Sequence, residues 1–265
     1  MKNGAADMPR ISRGVLRVFS AYSRRLLHRR FHSFRILKSG IPVLDSSRPV
    51  VIFLNHPSWW DPLICLELAE KLFAERRSFG PIEAAMFKRY RFFRFLGFFG
   101  VDGGSVSGTR EFLTICHLLL DSSENVLWLT PQGRFADVRD RDLRLQGGLG
   151  ALAAREPQAQ FVPLAIEYPF WTESRPEILV SFGAPLSPNA EPERSSREWS
   201  TRLSQSLAGT QEKLAIRSCL RDDGDWLTIS QGKAGNTGIY DAWCWLRAKL
   251  RGEAFHPEHG AKECR

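Results

Sequence analysis

His56 and Asp61 are the residues in this chain whose types and spacing could do chemistry, in Asn55-His56-Pro57-Ser58-Trp59-Trp60-Asp61-Pro62. A histidine exchanges a proton near neutral pH. A carboxylate on one of its ring nitrogens fixes the tautomer and leaves the other nitrogen basic. The pair therefore offers a general base and the group that orients it. A plainer reading competes. Asp followed by Pro is a good helix start, so Asp61 could be a cap and His56 a loop residue.

The flanking segments decide how such a pair would be held. Val50 to Leu54 is a short apolar run with β-branched residues, bounded by Pro49 and Asn55, and reads as a buried strand. From Pro62, Leu63, Ile64, Leu66, Leu68, Ala69, Leu72 and Phe73 follow a helical period. The polar turn between them lies at the carboxyl end of a strand, where open α/β sheets place their ligands.

His56 to Asp61 resembles the H-x4-D motif of the glycerolipid acyltransferase family, which includes the lysophosphatidic acid acyltransferases, and Asn55 and Pro62 match its N-H-x4-D-P surround. The resemblance implies that His56 deprotonates an acceptor hydroxyl, that the hydroxyl attacks an acyl thioester, and that Asp61 orients His56. Thr130-Pro131-Gln132-Gly133-Arg134-Phe135 is similar to the family's third motif, commonly P-E-G-T-R-S, with Gln132 in place of the acid and Arg134 one position early. Val162-Pro163 matches the fourth motif. In the second, Gly97 to Asp102 fits the apolar strand, but Gly103 stands where an arginine is usual. Gly133 lets backbone approach a ligand and Arg134 can grip a phosphate or carboxylate with two parallel bonds. Gly133, Arg134 and Asn55 are thus the candidate substrate contacts. The likeness covers about residues 35–185.

The remaining helices and strands alternate. A helix is expected over Thr109–Leu120, a strand over Val126–Leu129, a helix over Leu149–Ala154, strands over Phe161–Ile166 and Ile178–Phe182, and a closing helix over Glu198–Arg217. The pattern predicts an α/β fold, a mostly parallel or mixed sheet flanked by helices. It divides into a basic amphipathic segment at 1–34, an acyltransferase-like domain at 35–220, and a tail at 221–265 with a Trp-rich helix over Tyr240–Leu250.

The net charge of +8 and pI near 9.5 point to an acidic partner: nucleic acid, anionic lipid or a phosphorylated donor. Arg10 to Lys38 holds nine Arg or Lys residues and no acid, with Ile11, Val15, Val18, Phe19, Tyr22 and Leu26 at helical spacing. Such a helix can pack on the domain, lie on an anionic membrane or bind nucleic acid; the first two are compatible. Ala84 to Asp102 carries six Phe, one Tyr and four basic residues. Aromatics among basic residues can stack bases, although no nucleic-acid motif accompanies them. A partly buried helix with snorkelling basic heads accounts for the same composition.

No window reaches the roughly 20 apolar residues of a membrane span. Five scattered cysteines, with no C-x-x-C pair, suit a reducing compartment and argue against a zinc cluster. The expectation is an O-acyltransferase peripheral to the cytoplasmic face of a membrane, acting on a lysophospholipid or related lipid. Acyl-CoA or acyl carrier protein would be the donor, with no metal, bound cofactor or nucleic acid. The alternatives are a non-phosphate acceptor, such as a glycolipid, amino-acid lipid or carotenoid hydroxyl, and a non-catalytic basic membrane- or nucleic-acid-binding protein.

Overall fold

The computed structural model describes residues 9–190 and 193–232; the expected Trp-rich helix and Cys244 and Cys264 lie outside them. In chain order the elements are α1 (Arg13–Arg30), β1 (Ser33–Leu37), β2 (Val50–Leu54), α2 (Asp61–Leu72), β3 (Arg77–Glu83), α3 (Ala84–Arg89) and β4 (Phe98–Val101). There follow α4 (Val106–Leu120), β5 (Asn125–Leu129), α5 (Gly147–Arg155), β6 (Gln160–Glu167), β7 (Ile178–Phe182), α6 (Ser196–Leu220) and β8 (Trp226–Gln231). The eight strands form one sheet in the order β4-β3-β5-β2-β6-β7-β1-β8. β4, β3, β5, β2 and β6 run parallel; β7 and β1 run against them, and β8 turns back at the edge. The α/β class and the helix-flanked mixed sheet are as the sequence predicts.

Every residue of β2 is buried, because both faces of the sheet are covered. Val51 and Phe53 point with Leu127, Leu129 and Phe161 into a core closed by α4, α5 and α6. Val50, Ile52 and Leu54 point with Val126, Val162 and Leu164 into a second core closed by α1 and α2. The period of two along a strand sorts one apolar run into two cores.

Three strands extend or modify the expected pattern. β1 lies within the basic N-terminal stretch, so that stretch is helical only over Arg13–Arg30. β8 falls in the segment expected as tail and pairs antiparallel with β1. β3 is hidden in the sequence by Gly80 and Pro81. Its first half pairs with β5 and its second half with β4, so the proline sits where the strand changes partners. The Phe-rich segment is not one helix: α3 is short, and Arg91–Phe95 tightens into a 3-10 turn.

Candidate active site

Chain order sets the location. β2 is central, and its neighbours are β5 and β6, so the segments leaving the carboxyl ends of all three meet. The β2 segment carries His56, the β5 segment Gln132 to Phe135, and the β6 segment Tyr168.

Asn55 fixes where the chain leaves β2. It is buried, and its side-chain amide donates to the Ile166 carbonyl at 3.0 Å and accepts from the Ile166 N–H at 2.9 Å. Asn55 is an expected substrate contact, and both ends of its amide engage the main chain of β6. His56 is then held by its own backbone: its N–H donates to Gln132 Oε1 at 3.2 Å, and its carbonyl accepts from Ala136 N–H at 3.0 Å. The Phe135 ring lies against the imidazole, 4.5 Å between centroids.

The imidazole Nδ1 is 2.6 Å from Asp61 Oδ2. A carboxylate can only accept, so Nδ1 carries the hydrogen and Nε2 keeps a lone pair. Nε2 makes no hydrogen bond to a described residue, and the side chain is 18% exposed. Asp61 is fully buried. Besides His56, it accepts from the Ser58 N–H at 3.1 Å and from the Tyr168 hydroxyl at 2.5 Å. Asp61 is the first residue of α2, yet its carboxylate is not the helix cap. Trp60 holds the cap position without a side-chain bond. The carboxylate faces back toward the turn, where its charge meets the Ser58 N–H.

That charge reaches further. Burial, and then the negative charge of Asp61, push the Tyr168 phenol well above its usual range. Tyr168 therefore stays protonated and remains a donor. The Cys65 thiol is raised by the same two causes. Tyr168 escaped the sequence reading, although its position just past the strand beside β2 could have flagged it. Behind it, Phe31 packs on Tyr168 and Trp60, at 5.6 and 5.1 Å between centroids.

Gly133 and Arg134 lie in the turn beside His56. Gly133 has a φ of +64°, a left-handed backbone that favours glycine, whereas a Cβ there would meet only the movable end of the Gln146 side chain. Its N–H is used within the turn, donating to Thr130 O at 3.0 Å. Arg134 is half-exposed, with Asp140 at 3.7 Å. The other arginines of this loop are more firmly engaged: Arg139 with Asp137 through two bonds of 2.8 and 2.7 Å, Arg144 with Asp142 at 3.0 Å, and Arg141 with Glu212 at 3.4 Å.

No protein-family model matches the sequence, and no curated protein matches it. Among solved structures, the chain is similar to the 1-acyl-sn-glycerophosphate (LPA) acyltransferase PlsC from Thermotoga maritima. The TM-score is 0.54 and the identity 16%, over 76% of this chain and 80% of that one. At that identity the likeness is one of fold: this chain shares its helix-flanked mixed sheet with an acyltransferase.

Proposed function

We propose that the protein transfers a fatty acyl group from a thioester, acyl-CoA or acyl carrier protein, to a hydroxyl of a lysophospholipid or related lipid acceptor. The observation that carries this is the His56 Nδ1 to Asp61 contact of 2.6 Å with Nε2 left open. Nε2 takes the proton of the acceptor hydroxyl as its oxygen attacks the thioester carbonyl. The tetrahedral adduct then collapses, breaking the C–S bond, and the imidazolium returns the proton to the departing thiolate. Asp61 steadies the imidazolium, and Tyr168 and the Ser58 N–H hold Asp61. No nucleophile elbow such as G-x-S-x-G is present, so the acyl group passes directly to the acceptor. The reaction needs no metal or resident cofactor. Arg134 is the acceptor's anionic contact, in a turn that Gly133 allows. Because the acceptor is a lipid, this reading has the protein working at a membrane surface, on its cytoplasmic face; no described helix is long and apolar enough to cross a membrane.

A second reading concerns the acceptor alone. Gly103 brings no side chain to the end of β4, and Arg139, Arg141 and Arg144 already face acids. Arg134 is the most loosely engaged arginine of this loop, with Asp140 at 3.7 Å, so little positive charge is left over for an acceptor phosphate, which favours an uncharged hydroxyl lipid. Incubation with labelled acyl-CoA and a panel of lysophospholipids and uncharged hydroxyl lipids, resolved by lipid chromatography, tests both. Labelled product with none of them, by acyl-CoA or acyl carrier protein, would sink the acyl-transfer reading.

A further inference from the structure

The stripe of α1 and the aromatic segment from Met86 to Phe95 look like two separate basic-aromatic elements in the sequence, but the fold joins them. Ser12 N–H donates to Phe95 O at 2.8 Å, Gly97 N–H donates to Arg10 O at 3.1 Å, and Ile11 pairs with Leu96 in an antiparallel bridge. Phe19 of α1 rests on Phe92, 5.9 Å between centroids. We propose that the two together form one docking surface for an anionic phospholipid bilayer. The inference rests on the acyl-transfer reading, since a lipid acceptor has to be reached.

The inner face of α1 is fixed. Ser20, Ser23 and Leu27 are buried, and Arg24 pairs with Glu70 of α2 at 2.5 Å. The outer face is open: Val18 is 72% and Tyr22 59% exposed. At 3.6 residues per turn, Arg25 and Arg29 continue the same stripe. Across the junction, Phe92 and Phe95 are each 42% exposed, and no residue of α3 or of the 3-10 turn is buried. Lys88, Arg89, Arg91 and Arg94 stand among these rings, and neither Arg10–Lys38 nor Ala84–Val101 contains an acid. Apolar tips ringed by unopposed cations match an interface of acyl chains and anionic head groups.

Nucleic acid fits less well. A base needs a free ring face, yet Arg89 and Arg94 lie over Tyr90 and Phe95, at 5.3 and 5.7 Å from the centroids. Phe93 is enclosed by Tyr90, Phe92 and Phe98. The surface also leads to the site. α1 ends at Phe31, which packs on Trp60, and Trp60 stacks on the exposed Trp59 at 4.2 Å.

Co-sedimentation with vesicles of phosphatidylcholine alone, and of phosphatidylcholine with about a third phosphatidylglycerol, tests this. The protein is expected on the anionic vesicles, less so as salt rises. Tyr22→Ser on α1 and Phe95→Ser on the segment are each expected to lower binding roughly three- to tenfold. Arg25→Gln with Arg29→Gln is expected to lower it about fivefold per arginine on anionic vesicles only. Circular dichroism and melting confirm each fold, and Arg91→Gln with Arg94→Gln replaces Phe95→Ser if that variant unfolds. Wild-type binding by either the α1 or the segment variant overturns the joint surface. So does displacement by an oligothymidylate that the same variants fail to bind, which assigns the surface to nucleic acid. Vesicle binding needs no turnover, and the wild-type acceptor panel needs no variant, so a failed surface and a failed acyl-transfer reading are seen separately.

Discussion

The Tyr168 hydroxyl donates to Asp61 Oδ1 at 2.5 Å, on the oxygen that His56 does not use. A donor there draws density from the carboxylate and moderates its pull on the imidazole. We expect Tyr168→Phe to lower kcat about tenfold with little change in either KM, because the carboxylate loses one of the three donors that hold it against His56. An unchanged kcat in a variant that folds as wild type would reduce Tyr168 to packing.

The same residue has a signature in stability. The phenol and the thiols of Cys65 and Cys116 are all raised by burial, so the native state holds protons that the unfolded chain has released once the pH passes about 9 to 10. Their contribution is complete below that range and is lost as pH rises through it. Urea midpoints measured from pH 7 to 11 are expected to fall above about pH 9, and less steeply for Tyr168→Phe. Parallel curves would contradict the raised phenol.

His56→Ala is expected to stay folded and to lose roughly two to four orders of magnitude in transfer rate, the range for a general base. Asp61→Asn is expected to lose rate and also about 1 to 3 kcal/mol of stability, since a buried amide cannot accept from His56, Ser58 and Tyr168 as the carboxylate does. A urea midpoint for Asp61→Asn equal to wild type would show that the three bonds to this carboxylate contribute nothing to the fold.

Arg134→Lys keeps a charge but loses the paired donors. It is expected to raise the KM for an anionic acceptor more than that for the thioester, and to leave an uncharged acceptor's KM unchanged. Steady-state kinetics with both substrates varied reads this directly; an effect confined to the thioester would move Arg134 to the donor side.

The segment from Val50 to Leu72 was legible because both of its elements declare themselves locally, an apolar run and then a helical period opened by Asp-Pro. What the sequence concealed depends on distance. Tyr168 lies 107 residues from the carboxylate it serves, with no local pattern marking it. Asn55 belongs to a familiar motif yet binds Ile166, a partner that strand order alone determines. The basic stripe hid β1, because Arg35 interrupts Phe34 and Ile36 with a charge that the fold answers with Asp223 at 2.6 Å.

β1 also has a history during synthesis. It is made among the first strands, but its neighbouring segments wait for theirs: Ser33 meets Glu177 144 residues later, and His32 meets Gln231 at a separation of 199. Nearly the whole described chain must leave the ribosome before this edge can close. Such long loops make closure the slow event of folding. A chain ending at Leu220 would leave β1 as an open strand edge with unpaired backbone groups, prone to adding strands from other molecules.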